Sequence, residues 1–193
     1  EKRLLSTGAL DEKFGQNGVV LSDAKIEHFE HKISIAIDKT HMYVVGNTEA
    51  KSLLPDIIDY QYGWRIEKRS LVTGELDKTF GQRGIITGIA PHGTNKPFRA
   101  EETGRMYPRD VLVYENSLFI FGIDSEHQWR VEKRKTSTGG LDASFGIGGI
   151  ITGESQVAYV GSPDPIIAAI IDRGYFYIVG QKNDFDLAML RRG

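Results

Sequence analysis

Three aspartates at equivalent positions are the side chains of this chain that most invite a chemical role. Asp11, Asp77 and Asp142 each follow a leucine and stand three residues before a Phe-Gly pair. Carboxylates perform acid–base catalysis only when they converge on a reacting group. A carboxylate repeated at one turn position is instead typical of an Asx turn, in which its oxygens accept backbone N–H groups. We therefore interpret these aspartates as turn formers and name no catalytic residue.

The aspartates belong to a longer phrase that occurs three times. It begins with Glu-Lys-Arg and covers residues 1–20, 67–86 and 132–151, named here the first, second and third phrase. We expect its leucines and phenylalanines to be buried at equivalent places, its glycines to supply positive φ angles, and its Lys-Arg pair to form a solvated rim. The structural residues of the repeat are Leu10, Asp11, Phe14, Leu76, Asp77, Phe80, Leu141, Asp142 and Phe145.

Two histidines have a spacing that metal sites use. His28 and His31 are separated by two residues and are flanked by Glu27 and Glu30. Imidazole and carboxylate groups can ligate zinc, but a polar Glu-His-Phe-Glu-His run is more typical of a solvated loop. The chain has no P-loop, no dinucleotide-binding glycine fingerprint and no Gly-x-Ser-x-Gly elbow. We therefore assign no metal and no cofactor.

Aromatic and arginine side chains fall on the connections whose length varies between copies. The longest of these connections are Asn47–Gly63 and Ile89–Met106. Variable loops on a rigid scaffold usually carry function, and aromatic and arginine residues are favoured at recognition surfaces. The alternative is that these loops are spacers that cover the rim of the fold. The candidate ligand-binding residues are Tyr60, Tyr62, His92, Arg99, Arg105, Tyr107 and Arg109.

The elements that must position these residues are strands. Between the phrases runs a repeated pattern of an apolar run, a polar turn and a β-branched and aromatic run, which ends at Gly46, Gly122 and Gly180. This pattern predicts a hairpin of two strands, A and B. Its A–B turn and the Leu-Asp turn should lie at one end of the sheet, and the variable connections at the other.

Strands C and D are predicted on either side of the Leu-Asp turn. Alternation places Trp64 and Ile66 on one face of a half-buried strand C, and Gly84–Gly88 matches strand D, as does Gly149–Gly153. The best helix candidate is Glu49–Ile58, which a proline interrupts. Nothing else in the chain has a sustained helical period.

Four short antiparallel strands in each repeat are typical of a propeller blade. We predict an all-β, β-propeller-type fold with about three four-stranded antiparallel blades in one repeat region, residues 1–193, with repeats at about 1–66, 67–131 and 132–193. Closed propellers usually have at least about four blades. We therefore expect the chain to be part of a larger ring, completed by flanking repeats or by a homo-oligomer. A compact three-bladed closure is the alternative.

The Leu-Asp-x-x-Phe-Gly-x-x-Gly motif resembles the repeat of the delta-60 family of bacterial proteins. The resemblance extends to hairpins that contain Asp38 and Asp172, whereas Tyr114 departs from the pattern. It covers nearly the whole chain apart from the insertions. It implies a propeller-like fold and a secreted or cell-envelope location, and it implies no particular activity, because most members have none assigned.

Composition narrows the classes of partner. The chain of 193 residues carries 24 basic and 26 acidic side chains and no cysteine, so it lacks the positive charge that nucleic-acid binding requires. Its apolar runs are too short to cross a bilayer as a helix. We expect a non-enzymatic binding or scaffold module that recognises a protein or carbohydrate partner through the loop-rich face. The alternative is a propeller-type hydrolase or lyase that acts on a polysaccharide or an ester.

Overall fold

The structure is a computed structural model, and it is all-β. It describes residues 1–24, 33–50, 61–89, 106–124, 128–153, 166–183 and 186–192. These residues form eleven strands in three antiparallel sheets, two of four strands and one of three, and contain no helix. Accordingly, the part of the chain that the structure describes holds no helix that could span a membrane.

Each sheet is a meander in which strands adjacent in sequence are hydrogen-bonded neighbours. The first sheet contains β1 (Ile33–Ile37), β2 (His41–Ala50), β3 (Gln61–Ser70) and β4 (Ile85–Ile89). The second contains β5 (Tyr107–Tyr114), β6 (Ser117–Ile123), β7 (Trp129–Lys135) and β8 (Ile150–Gly153). The third contains β9 (Ile166–Asp172), β10 (Tyr175–Asn183) and β11 (Asp186–Arg192).

The predicted order of strands A, B, C and D is the order of the first two sheets. The second phrase joins β3 to β4, and the third phrase joins β7 to β8. Strand D of the first sheet begins one residue later than predicted, at Ile85. The helix candidate is wrong where the structure describes it, because Glu49 and Ala50 belong to β2; the rest of that candidate, residues 51–58, lies outside the described residues.

The three sheets pack face to face, with the second sheet in the middle. Leu118 and Ile120 of β6 join a buried cluster with Tyr43, Trp64 and other residues of the first sheet. Phe119 and Phe121, on the opposite face of the same strand, join a second cluster with residues of the third sheet. Alternate side chains of one strand therefore serve two cores, because successive residues of a strand point to opposite faces.

Strand register defines two ends of each sheet. In the first sheet His41 pairs with Ser70 at one end, and Ala50 pairs with Gln61 at the other. The hairpin turn and the Leu-Asp turn leave from the first end, which we name the turn end. The connections whose length varies leave from the second, which we name the loop end. This is the division that the sequence predicted.

The glycines of the phrases supply the positive φ angles that were expected. Gly81 has a φ of 54°, and Gly84 has a φ of 95°. A Cβ atom at Gly84 would lie 2.7 Å from the Cβ of Leu76. Glycine therefore serves both the backbone conformation and the close approach of the turn to its leucine.

Candidate functional site

The repeated aspartates are bound within their own turns. Asp77 Oδ1 accepts the backbone N–H of Thr79 at 3.0 Å and the Thr79 hydroxyl at 2.7 Å. Its second oxygen, Oδ2, lies 2.7 Å from Lys68 Nζ. Corresponding contacts join Asp142 to Ser144 and Lys133, and Asp11 to Lys13 and Lys2.

These contacts hold the carboxylates ionised. Hydrogen bonds from Lys68 and Thr79 lower the pKa of Asp77 far below its ordinary range. Bonds from Ser144 and Lys133 lower the pKa of Asp142 to about 2. A catalytic acid or base works best with a pKa near the operating pH, so these aspartates are poor candidates for proton transfer. Each one lies in a separate turn beside the lysine of its own phrase.

The Glu-Lys-Arg segment forms a second repeated set of contacts. Glu132 is fully buried, and its two oxygens lie 2.7 Å from Arg130 Nη2 and 2.7 Å from Arg134 Nη2. Arg134 Nη1 also donates to the carbonyl of Gly139 at 2.9 Å. The arginine of the first and second phrases donates to Gly8 and Gly74 in the same way.

The expectation that the Lys-Arg pairs form a solvated rim is therefore wrong for the second and third phrases, whereas Arg3 of the first phrase is exposed. Lys68 and Arg134 are only 6% and 8% exposed. In β7 the side chains of Arg130, Glu132 and Arg134 share the face that lies against the first sheet, and the Arg134 guanidinium is 5.3 Å from the ring of Trp64. Burial is tolerated because each charge has a close opposite partner. The sequence signal was an Arg-x-Glu-x-Arg alternation, which places three charges on one strand face.

The phenylalanines of the phrases pack on hairpin aromatics. Phe80 is fully buried and meets Tyr43 edge to face, with ring centroids 6.0 Å apart. Phe145 meets Phe119 in the same manner at 5.8 Å. Phe14 is 4% exposed, but Phe145 is only partly buried. The leucines are less buried than expected, since all three are only partly covered: Leu10, Leu76 and Leu141.

Consecutive phrases are joined to each other at the turn end. The N–H of Gly15 donates to the carbonyl of Thr73 at 2.9 Å, and the N–H of Gly81 donates to the carbonyl of Thr138 at 2.9 Å. These two bonds connect equivalent atoms, from the first phrase to the second and from the second to the third. The Thr-Gly segment of one phrase is therefore a docking element for the phrase before it.

One polar cluster at the turn end was not anticipated from the sequence. His41 Nε2 lies 3.5 Å from Asp77 Oδ2, and His41 Nδ1 lies 2.8 Å from the Thr40 hydroxyl oxygen. Asp38 accepts the N–H groups of Thr40 and His41, both at 2.7 Å, and the hydroxyl of Tyr43 at 2.8 Å. The sequence feature that could have indicated this cluster is the turn-forming Asp-Lys-Thr-His segment of the first hairpin, residues 38–41.

The cluster ties the first hairpin to the Leu-Asp turn beside it. Burial and the hydrogen bond to Asp38 raise the pKa of Tyr43 well above its ordinary range, so Tyr43 stays a protonated donor. The positions equivalent to His41 in the other hairpins are Ser117 and Tyr175. The Thr40 hydroxyl, the His41 imidazole and the Asp77 carboxylate lie in series, and these three groups can form an acid–base relay. The Asp77 carboxylate is also paired with Lys68.

Most of the candidate ligand-binding residues lie where the structure gives no side-chain geometry. Tyr62 belongs to β3, and its side chain is outside the described part. Outside the described residues altogether are Tyr60, His92, Arg99 and Arg105. The histidine pair, His28 and His31, is outside them too. Among the residues that are described, no group of three or more His, Cys, Asp or Glu side chains could hold a metal ion.

Tyr107 and Arg109 are described, and both lie in β5 rather than on a connecting loop. Arg109 is 7% exposed, and its guanidinium carbon is 5.9 Å from the centroid of the Tyr107 ring. Tyr107 packs against the second hydrophobic cluster. The placement of Arg109 on an exposed recognition surface is therefore wrong, because β5 buries it within the packed sheets.

Two cavities border the sheets near their repeated turns and strands. The larger, of about 450 Å³, lies beside the third phrase and is lined in part by Phe145, Ile151 and Tyr175. The smaller, of about 200 Å³, lies on the first sheet, and Val44 and Glu67 are among its lining residues. The larger cavity therefore lies between the second and third sheets, whereas the smaller lies on the face of the first sheet that points away from the second sheet.

Comparisons of this chain with protein-family models, with curated proteins and with solved structures find no match. Function must therefore be argued from the contacts themselves.

Proposed function

We propose that this protein is a non-enzymatic binding or scaffold module, which recognises a protein or glycan partner through its loop end. The observation that carries the proposal is the identical use of the repeated polar residues. Each phrase uses its lysine to bind its aspartate and its arginine to bind a glycine carbonyl. Because the repeated polar residues make the same internal contacts in every copy, we assign them to the structural framework. The connections whose length varies then remain as the candidates for recognition.

The framework that we propose is of β-propeller type and belongs to a larger ring. Face-to-face packing of four-stranded meanders supports this architecture. The uncovered apolar residues of the terminal sheets support continuation beyond three copies. Among them, Ile35 in β1 and Ile170 in β9 are each 60% exposed. The resemblance to delta-60 repeats favours the same fold and a secreted or cell-envelope location.

The ligand that suits the loop end is an anionic glycan or an acidic protein segment. Arg99 and Arg105 could pair with sulfate or carboxylate groups, since a guanidinium group binds such anions with two parallel hydrogen bonds. Tyr60 and Tyr62 could stack on a sugar ring or an apolar side chain. Arg109 is not included, because it is buried in β5.

The test compares one loop-end variant with one turn-end variant. The triple change Tyr62→Ala, Arg99→Ala and Arg105→Ala should abolish binding to immobilised heparin or alginate and leave the melting temperature nearly unchanged, since exposed substitutions shift stability by no more than about 0.5 kcal/mol. Lys78→Glu, at an exposed turn-end position, should bind like the parent. Normal binding by the triple variant together with lost binding by Lys78→Glu would place recognition at the turn end.

A hydrolase is the second candidate, and the arrangement of Thr40, His41 and Asp77 favours it. Its test is the hydrolysis of a p-nitrophenyl ester by the parent and by His41→Ala. Activity that is at least about tenfold lower in the variant, with an unchanged melting temperature, would support an enzyme. Equal rates, or none above the buffer, would leave His41 with a structural role only.

A further inference from the structure

The sequence contains one Asn-Gly pair, and it lies in a surface turn of the first phrase. Asn17 and Gly18 connect Gln16 to Val19, whose backbones bond to each other in both directions, at 2.8 Å and 3.1 Å. Both residues of the pair have positive φ, 52° for Asn17 and 88° for Gly18. These are the features of a two-residue type I′ turn, for which asparagine followed by glycine is a preferred pair.

The exposure of Asn17 is a property of the turn itself. The second and third phrases form the same turn, with Arg83 and Gly148 at the position of Asn17, and all three residues are exposed. The φ angles agree as well, 55° for Arg83 and 61° for Gly148. The fold therefore presents this position to water in each phrase, and the first phrase places an asparagine there.

An Asn-Gly pair can lose ammonia without an enzyme. The backbone nitrogen of the glycine loses its proton and attacks Cγ of the asparagine. A new C–N bond forms, and the side-chain nitrogen takes up a proton and leaves as ammonia. Water then opens the resulting succinimide ring to aspartate, or to isoaspartate, in which the chain continues through the side-chain carboxyl group. Glycine favours the attack because it has no Cβ atom to hinder the approach of its nitrogen.

The folded turn restrains the attacking nitrogen. The N–H of Gly18 donates to the carbonyl of Phe14 at 2.8 Å, and Gly18 is buried although Asn17 is exposed. Phe14 is itself only 4% exposed, so the bond lies beside packed side chains. The nitrogen must leave this bond before it can lose its proton and turn toward Asn17. Deamidation must therefore wait for a local opening of the turn.

We propose that Asn17 is a site of spontaneous deamidation, and that opening of the hydrogen bond between Gly18 and Phe14 sets its rate. The substrate is the protein's own Asn-Gly turn, and the co-reactant is water. This modification is independent of the ligand that the loop end binds, because the turn lies elsewhere on the fold.

The two products have different consequences for the fold. Aspartate at position 17 keeps the length of the turn, and aspartate is among the residues that tolerate positive φ. Isoaspartate adds one atom to the backbone of the turn, where a Cβ atom at Gly18 would already lie 2.8 Å from the Cβ of Leu10. Isoaspartate should therefore disrupt the turn and weaken the nearby bond from the N–H of Gly15 to the carbonyl of Thr73, which joins the first phrase to the second.

The test compares deamidation with hydrogen exchange, because both reactions need a Gly18 nitrogen that is free to lose its proton. The whole chain is incubated in mildly alkaline buffer, folded and in urea, and its peptides are followed by mass spectrometry for replacement of an amide NH2 group by a hydroxyl. Exchange of the Gly18 amide in the folded protein gives its protection factor. The ratio of the unfolded to the folded deamidation rate should be at least about tenfold and should match that protection factor within about threefold.

Two variants control for the site and for the turn. Asn17→Gly reproduces the Gly-Gly turn of the third phrase, and its peptide should show no deamidation. Arg83→Asn places a second Asn-Gly pair in the equivalent turn, where the N–H of Gly84 donates to the carbonyl of Phe80 at 2.7 Å. This second pair should also deamidate, and its own ratio of rates should follow the protection of the Gly84 amide.

The consequence for the joint between phrases is measured at Gly15. Hydrogen exchange of the Gly15 amide should stay as in the parent for Asn17→Asp, which mimics one product. It should be faster in the isoaspartate form, separated by chromatography, and an unchanged rate there would show that the turn accommodates the longer backbone.

Three results would overturn the proposal. The first is equal deamidation rates in folded and unfolded protein, which would mean that the turn does not restrain the reaction. The second is an Asn17 that stays intact in folded protein while its Gly18 amide exchanges. The third is earlier deamidation at Asn116, which is also exposed but is followed by serine, since that would place the reactive site in a different turn.

Discussion

Phe80 and Phe145 hold the same position in two copies of one phrase, yet one is fully buried and the other is not. Each meets an aromatic ring of its own sheet edge to face. The difference lies beyond the sheet, because Gly139 of the next phrase covers Phe80, whereas Phe145 borders a cavity. The burial of the phrase phenylalanine is thus completed by the Thr-Gly segment of the following phrase, and among the described residues no such segment covers Phe145.

The sharpest test of this comparison is the pair Phe80→Ala and Phe145→Ala. Phe80→Ala should lower the free energy of unfolding by about 3–5 kcal/mol, because it empties a closed core site. Phe145→Ala should cost only about 1 kcal/mol, because its ring is partly in water already. Urea unfolding of dilute protein measures both. Equal losses would show that the following copy contributes nothing to the burial of Phe80.

A second test contrasts the buried and exposed forms of the Glu-Arg pair. Glu132→Ala should cost about 3 kcal/mol or more, because it removes the carboxylate that two buried guanidinium groups bind. Glu1, whose side chain is 52% exposed, forms the same pair with Arg3, and Glu1→Ala should leave the free energy of unfolding nearly unchanged, because solvent screens an exposed pair. A loss for Glu132→Ala as small as that for Glu1→Ala would mean that the buried pair adds no net stability.

The sequence predicted the elements well where one sheet determines them. The hairpins, the Leu-Asp turns and the division into two ends follow from alternation and turn chemistry within one repeat. It failed where two sheets meet. The burial of Lys68 and Arg134 depends on a neighbouring sheet, and an alternating charged strand looks exposed until that neighbour is placed. Arg109 was placed on the exposed loop-rich face, and its burial likewise depends on the packed sheets.

The candidate site was less predictable than the fold. The His41 cluster joins a hairpin turn to a Leu-Asp turn far along the chain, and no local pattern brings His41 beside Asp77. The different surroundings of the Thr-Gly glycines could not be predicted either, since Gly8, Gly74 and Gly139 occupy the same position of the repeat in the sequence. Only the space around each missing Cβ atom separates them.

Glycine substitutions measure that space directly. Gly139→Ala should cost about 2–3 kcal/mol, because the new methyl group would overlap Ile86 and press on Phe80 at a positive φ. Gly8→Ala has the same backbone penalty without the overlap, so about 1 kcal/mol is expected in dilute protein. Thermal unfolding of the two variants gives the difference. If both lost the same stability, the backbone penalty alone would explain them.

The smallest expected effect is a difference in acid sensitivity between Asp77 and Asp142. Both have a folded-state pKa below the ordinary 3.8, about 2 for Asp142 and lower for Asp77. A lowered pKa stabilises the folded state fully above the ordinary value, and this contribution disappears as the pH falls through the folded value. The parent should therefore lose stability from about pH 4 to pH 2.

Asp77→Asn should reduce this acid-induced decrease in the free energy of unfolding more than Asp142→Asn does. The reason is that Lys68, the partner of Asp77, is more buried than Lys133, the partner of Asp142, with side chains 8% and 25% exposed. Urea unfolding from pH 2 to pH 6 measures the slopes, and an unchanged slope in Asp77→Asn would show that its pairing with Lys68 adds no pH-dependent stability.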